Sequence, residues 1–246
     1  MGGGPSLHEP GVADQGATYR NRGAHHANPG AGFMTTNKPR MTTDPRTPLD
    51  RTWPINPMQP NPSQTDLDCP EMVVLVNERN RRTGVAAKLA VHHSETPLHR
   101  GFSCYLFDSD GQILVTQRSS NKRTFPGVWS NSVCGHPGPG ERATAAVRRR
   151  LQFELGILAK DVTCILPEFR YRAEMDGIVE YEVCPVFTAS TRETACPNHD
   201  EVDACVWMSW DDFCVRLRAT PAQFSPWCLE QVDQLTRINF VPPILE

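Results

Sequence analysis

The sequence predicts an α/β fold of the α+β kind, a mixed sheet sandwiched between helices, with a disordered N-terminal extension ahead of it. Three observations predict it. Apolar runs of strand length are separated by turns rich in Asp and Gly; helical segments are inserted among those runs; and composition changes abruptly near residue 66. Residues 1–66 are dominated by Gly, Pro, Asn, Thr and Arg, with apolar residues only singly, the pattern of a disordered chain. The folded domain is therefore expected over residues 67–246.

Taken in order, "EMVVLV" (71–76) reads as the first strand. "GFSCYLF" (101–107) and "QILVTQR" (112–118) flank "DSDG", whose Asp and Gly suit a hairpin turn. The loop "WSNSVCGHPGPGE" (129–141) follows, then a helix from about Glu141 to Leu155 with Gly156 as its stop. "VTCILPEFRYRAE" and "GIVEYEVCPVF" flank "MDG" as a second hairpin, and "ACVWMSW" is a further strand. "DDFCVRL" and "SPWCLEQVDQL" end the chain as helices, the latter with Ser225 as N-cap and Pro226 at the first helical position.

Composition narrows the partners. Twenty-five Lys and Arg against 28 Asp and Glu leave a net charge of -3, so no nucleic-acid partner is expected and any anion site must be local. No run approaches the ~20 apolar residues of a membrane span, and "MGGGPSLHEPG" lacks the apolar core of a signal peptide. We expect a cytoplasmic protein with no membrane partner. Its nine cysteines, none spaced C-x-x-C, agree with a reducing compartment.

Two local patterns ask for a cation. On the helix, Glu154 shares the apolar face with Val147 and Leu151 and sits in the last turn, where the helix dipole disfavours an acid by ~0.3–1 kcal/mol. An i, i+4 ion pair with Arg150 would explain it; so would a divalent cation held near Cys134 and His136. On the strand, Glu180, Glu182 and Cys184 point to one side, opposite Val179, Tyr181 and Val183. That pattern fits an amphipathic strand with its acids in water, or a metal or acid/base site that relieves the repulsion between them. His92, His99 and His136 are candidate neutral ligands, and a strand through His92 and His93 would send only one of those two toward a site.

Together "KLAVHHSETPLH", "QRSSNKRTFPGVWSNSVCGHP", "GERATAAVRRRLQFELG", "FRYRAEMDGIVEYEVCPVF" and "FSPW" resemble the type I isopentenyl-diphosphate delta-isomerases of the Nudix superfamily. The resemblance runs in family order over roughly residues 70–237. It includes a partial Nudix box, G-x5-E-x7-R-E-U-x-E-E-x-G-U, fitted by Gly135, Glu141, Arg149, Leu151, Glu154, Gly156 and Ile157. Arg150 and Phe153 stand where the hydrolases of the superfamily have glutamates, a change that favours holding a diphosphate over cleaving it.

The resemblance implies a Nudix-type fold and an isomerase of isoprenoid biosynthesis, which turns isopentenyl diphosphate into dimethylallyl diphosphate through a tertiary carbocation. It implies that Cys134 and Glu182 flank the substrate, with Glu182 assigned the donation to the alkene and Cys134 the removal from C2. Tyr171 would hydrogen-bond the acid side, and Trp227 would steady the carbocation. His92, His99, His136, Glu180 and Glu182 would bind one Mn2+ or Zn2+. Glu154 and the main-chain carbonyl of Cys134 would hold Mg2+ bridging to the diphosphate. Lys88, Arg118, Lys122 and Arg150 would contact the diphosphate. The protein is expected as a monomer or weak homodimer, with a hydrolase of another diphosphate as the alternative activity. Tyr181 stands where the family usually has Asn, and Gly101 and Cys104 replace commoner small or polar residues.

Overall fold

A computed structural model describes residues 71–159 and 161–244; the expectation for residues 1–66 lies outside the described residues. The strands are β1 (Met72–Val76), β2 (Arg82–Ala87), β3 (His99–Arg100), β4 (Phe102–Phe107), β5 (Ile113–Arg118), β6 (Trp129–Ser130), β7 (Val133–Gly135), β8 (Thr163–Leu166), β9 (Arg170–Met175), β10 (Ile178–Val183), β11 (Val186–Ser190) and β12 (Val202–Met208). The helices are α1 (Lys88–Val91), α2 (Ala143–Leu155), α3 (Trp210–Ala219) and α4 (Pro226–Arg237).

These strands build two sheets rather than the one expected. The first has the order β2-β1-β3-β10-β9; the second has β12-β5-β4-β11-β8, with β6 on β5 and β7 on β4. The difference comes from proline. "VTCILPEFRYRAE" breaks at Pro167 into β8 and β9, and "GIVEYEVCPVF" breaks at Pro185 into β10 and β11, because a residue without an N–H cannot continue a ladder. Each half joins a different sheet. The "MDG" hairpin is present, with Asp176 (φ 52°) and Gly177 (φ 75°) both left-handed, as a tight turn between antiparallel strands requires. Across "DSDG" only Phe107 and Ile113 pair before β4 and β5 diverge around β6 and β7.

Two neighbouring segments change sheets side by side. β3 passes into β4 across Gly101, and β10 passes into β11 across Cys184 and Pro185, each pair running parallel. The Gly101 N–H donates to the Val183 carbonyl (2.9 Å), and the Ser103 N–H donates to the Pro185 carbonyl (3.2 Å). β7 lies along β4 and pairs Cys134 with Ser103. Residues from three distant stretches of sequence therefore meet at this seam.

β4 has helices on both faces, which explains its unbroken burial. Phe102, Cys104 and Leu106 pack with Val147, Leu151 and Leu155 of α2, while Tyr105 and Phe107 pack with α3 and α4. Helix α2 ends as expected at Gly156 (φ 69°), whose N–H donates to the Gln152 carbonyl. Ser225 precedes α4 as expected, but its hydroxyl bonds Ser130 (2.9 Å) rather than capping the helix.

Candidate active site

The seam gathers His92, His99, His136 and Glu182, all buried, with one ligand atom from each lying within 4.8 Å of every other. His92 does not come from a strand as expected. It is the C-cap of the single-turn α1, and that geometry buries His92 while leaving His93 exposed. The His92 Nδ1 lies 3.1 Å from the Lys88 carbonyl and the His99 Nδ1 lies 2.9 Å from the Pro97 carbonyl, which turns both Nε2 atoms toward the cluster. His99 Nε2 and His136 Nε2 are 3.2 Å apart, and His136 Nε2 is 3.0 Å from Glu182 Oε1.

His92 Nε2 is buried without a hydrogen-bond partner. A convergent imidazole nitrogen with no proton partner, fixed from behind by a carbonyl, suits a divalent metal, and the His/Glu group could hold one. Burial pushes the His136 imidazole down to about 4, favouring the neutral form that a metal needs. Burial raises the Glu182 carboxyl, but the His136 and His99 imidazoles outweigh it and hold the group well below the usual carboxylate range. Neither acid of β10 is in water: Glu180 and Glu182 are 6% and 5% exposed. Glu180 stands outside the four-residue group and accepts a 2.7 Å hydrogen bond from Tyr171. Tyr171 thus bonds Glu180, although Glu182 is its partner across the ladder.

A cavity of about 250 Å3 opens on this cluster, lined by Cys134, Tyr171, Trp227, Glu180 and Glu182 and by all four of the predicted cations. Asn131 Nδ2 donates to the Cys104 and Val133 carbonyls, which fixes the amide so that Oδ1 accepts from the Cys134 thiol at 3.2 Å. On the other side of the sulfur, Ser103 Oγ lies at 3.4 Å. Burial raises the Cys134 thiol above its ordinary range, only partly opposed by the Ser103 bond and the Arg118 charge. Trp227 is pinned through its Nε1–H to Ser130 Oγ (3.1 Å) and Asn131 Oδ1 (3.3 Å). The Arg118 guanidinium lies 5.4 Å from the Trp227 ring centroid, so the π face already takes a positive charge.

The cations are mostly partnered. Lys88 bonds Glu71 (2.7 Å), and Arg118 donates to the Thr124 (2.7 Å) and Phe125 (3.0 Å) carbonyls. Arg150 Nη2 bonds Glu154 Oε1 (2.7 Å), so the i, i+4 pair is formed, and it also reaches Glu201 (3.0 Å). Both Arg150 bonds to Glu154 end on Oε1, and Glu154 lines a small recess with Cys134. Arg149 grips Glu141 with two 2.9 Å bonds. Sequence reasoning missed Asn131, Ser103 and Glu201. The first lies in the quoted "NSVCGHP" loop, whereas Glu201 is one acid among several in "NHDEVD" with nothing in its spacing to single it out.

Residues 97–228 match the NUDIX domain model. The isopentenyl-diphosphate delta-isomerase of Saccharopolyspora erythraea is 48% identical over 173 residues, 70% of this chain and 89% of that one. The isomerase of the same name from Mycolicibacterium vanbaalenii is 50% identical over 173 residues, 68% of this chain and 93% of that one. A crystal structure of a Deinococcus radiodurans protein shares the fold, with a TM-score of 0.53 at 22% identity over 67% of this chain and 98% of that one.

Proposed function

Because the chain belongs to the isopentenyl-diphosphate delta-isomerases, a family of NUDIX domain proteins, we propose that it converts isopentenyl diphosphate to dimethylallyl diphosphate with the residues just described. The observation that carries this reading is the convergence of the Cys134 thiol and the Glu182 carboxylate on one cavity that Trp227 also lines.

In the forward direction Glu182 gives a proton to the terminal alkene carbon, leaving a tertiary cation at C3, and Cys134 takes a proton from C2. The proton gained equals the proton lost. At rest the pair holds one proton, on the thiol, and moving it to Glu182 prepares this step. The resting distribution serves the reverse reaction, in which the thiol protonates C2 and Glu182 accepts from the methyl group. Tyr171 orients the acid side through Glu180. Trp227 meets the cation with its π face, and burial keeps water from quenching it.

His92, His99, His136 and Glu182, with Glu180 beside them, would hold Mn2+ or Zn2+. Glu154, with Oε2 beyond the reach of its Arg150 bonds, and the Cys134 carbonyl would hold Mg2+. When bound, these ions supply positive charge that orders the carboxylates and offsets the diphosphate. Lys88, Arg118, Lys122 and Arg150 would grip the diphosphate. Residues 67–246 would suffice for this activity, as a cytoplasmic monomer or weak homodimer.

Proton NMR with isopentenyl diphosphate and Mg2+ in D2O, with a phosphate assay on the same sample, tests the proposal. Deuterated dimethylallyl diphosphate without phosphate release is expected. Phosphate release without isomerisation would point instead to hydrolysis of a diphosphate.

A further inference from the structure

Two of the five cations lining the cavity, Lys122 and Arg150, end on a single oxygen. Arg150 Nη2 lies 3.0 Å from Glu201 Oε2, and the Lys122 ammonium contacts that same atom. Glu201 is held firmly where it stands. Its N–H donates to the Asn198 carbonyl (2.9 Å), and its carbonyl accepts from the Ser119 N–H (2.9 Å). The next turn of the Lys122 loop is tied down as well, since the Ser120 N–H donates to Asp203 Oδ2 (2.9 Å). The turn that carries Glu201 is also fastened to the end of α2, where the Asn198 N–H donates to the Glu154 carbonyl (2.8 Å). Burial would raise the Glu201 carboxyl, yet the Arg150 and Lys122 charges outweigh it and bring the group down to about 2.

A carboxylate oxygen that accepts from a guanidinium and an ammonium at a cavity wall occupies the place of a phosphoryl oxygen. We propose that Glu201 is an affinity-setting residue that stands in for the diphosphate: it neutralises Lys122 and Arg150 while the cavity lacks substrate and competes with the diphosphate for them. The inference rests on the diphosphate reading above and extends it to a residue that takes no part in the proton transfers. Incoming diphosphate draws Lys122 away from Glu201, while Arg150 keeps its second carboxylate, Glu154. On product departure Lys122 returns to Glu201, so the carboxylate lowers affinity for substrate and product alike and speeds release.

The test is calorimetric titration of inorganic pyrophosphate, with Mg2+ present, into the full chain and into Glu201→Gln. Removing the competing charge is expected to tighten Kd on the order of tenfold at low salt and by less at high salt, because the competition is between charges. KM for isopentenyl diphosphate should fall with it while kcat stays level or drops, a split that loss of packing alone would not produce. In a Lys122→Met background the gain from Glu201→Gln should shrink, and an undiminished gain overturns the competition. Unchanged or weaker pyrophosphate binding by Glu201→Gln overturns the proposal, as does absence of binding to both chains. Should Glu201→Gln not fold, Glu201→Asp, which shortens the reach by one methylene, is expected to tighten Kd by a smaller factor; no tightening overturns the proposal. If the D2O experiment shows no isomerisation but Glu201→Gln still tightens pyrophosphate, the isomerase reading fails and the competition stands.

Discussion

A β-carbon on Gly101 would lie 1.8 Å from Oε2 of Glu182, so the bare backbone at one seam crossing and the carboxylate at the other occupy each other's space. Glu182 cannot swing away freely, because it is buried and its Oε1 is engaged by His136. Gly101→Ala is expected to keep the fold at a cost of about 1–3 kcal/mol from overpacking. The displaced carboxylate should weaken metal binding roughly 10–100-fold. Thermal melts and metal titration of the purified variant check both; an unchanged metal affinity would show that the contact has no bearing on the cluster.

Cys134→Ala removes the thiol that the Asn131 and Ser103 side chains hold at the cavity. Isomerisation is expected to fall by roughly 10²–10⁴-fold, the contribution typical of a positioned proton-transfer group. Deuterium incorporation in D2O reads it directly. Turnover at the parent rate would remove Cys134 from the proton pathway.

Behind the thiol runs a buried chain of hydrogen bonds. Tyr105 donates to Gln231 Oε1 (3.0 Å), and Gln231 Nε2 donates to Ser103 Oγ (2.9 Å), which leaves the Ser103 proton free to face the Cys134 sulfur. Ser103→Ala would strand the Gln231 N–H in the core. A loss of about 1–3 kcal/mol in stability is expected by denaturant unfolding. A lower kcat that Ser103→Thr recovers would distinguish the hydroxyl's hold on sulfur from a packing effect.

Acid stability should carry the signature of Glu201. Its carboxyl holds a proton more weakly in the folded chain (about 2) than in the unfolded chain (4.5). The unfolded state therefore takes up the proton first as pH falls. The stabilisation is fully present above about 4.5 and is lost progressively as pH falls toward about 2. Unfolding midpoints from pH 6 to pH 2 should drop less steeply for Glu201→Gln than for the parent; parallel curves would contradict the depressed carboxyl.

Removing the metal tests the imidazole cluster. Dialysis against a chelator is expected to lower the melting temperature and abolish isomerisation, since an ion that binds only the folded state stabilises it by mass action. Re-addition of Zn2+ or Mn2+ should restore both. No change in melting temperature would argue against a resident ion at His92, His99, His136 and Glu182.

What the sequence disclosed was mostly local. Helix α2, its Gly156 stop and the buried Glu154 follow from period and capping, and the Arg150–Glu154 pair from i, i+4 spacing. Glu180 and Glu182 share a face because strands alternate. Which of them joins the imidazoles is decided by the parallel pairing of β10 with β3, a long-range fact. The turn that carries His92, Lys88–Val91, is too short to show a helical period in the sequence. The two proline breaks were visible as residues, but their effect, a change of sheet, depends on the partners available to each half. Glu201 escaped because its meaning lies in Arg150 and Lys122, which reach it from other parts of the chain.

The seam also constrains the order in which the protein can be made. Ser103 and its partner Gln231 are 128 residues apart, Ser130 and Trp227 are 97 apart, and parallel pairings join β3 to β10 and β4 to β11. Contacts of such separation pay their loop-closure entropy before they return any stability. A ribosome-bound chain that has emitted β4 and the cysteine loop but not α4 has neither the wall of the cavity nor the support behind its sulfur. Catalytic competence should therefore arise in one late step, once α4 closes the cavity.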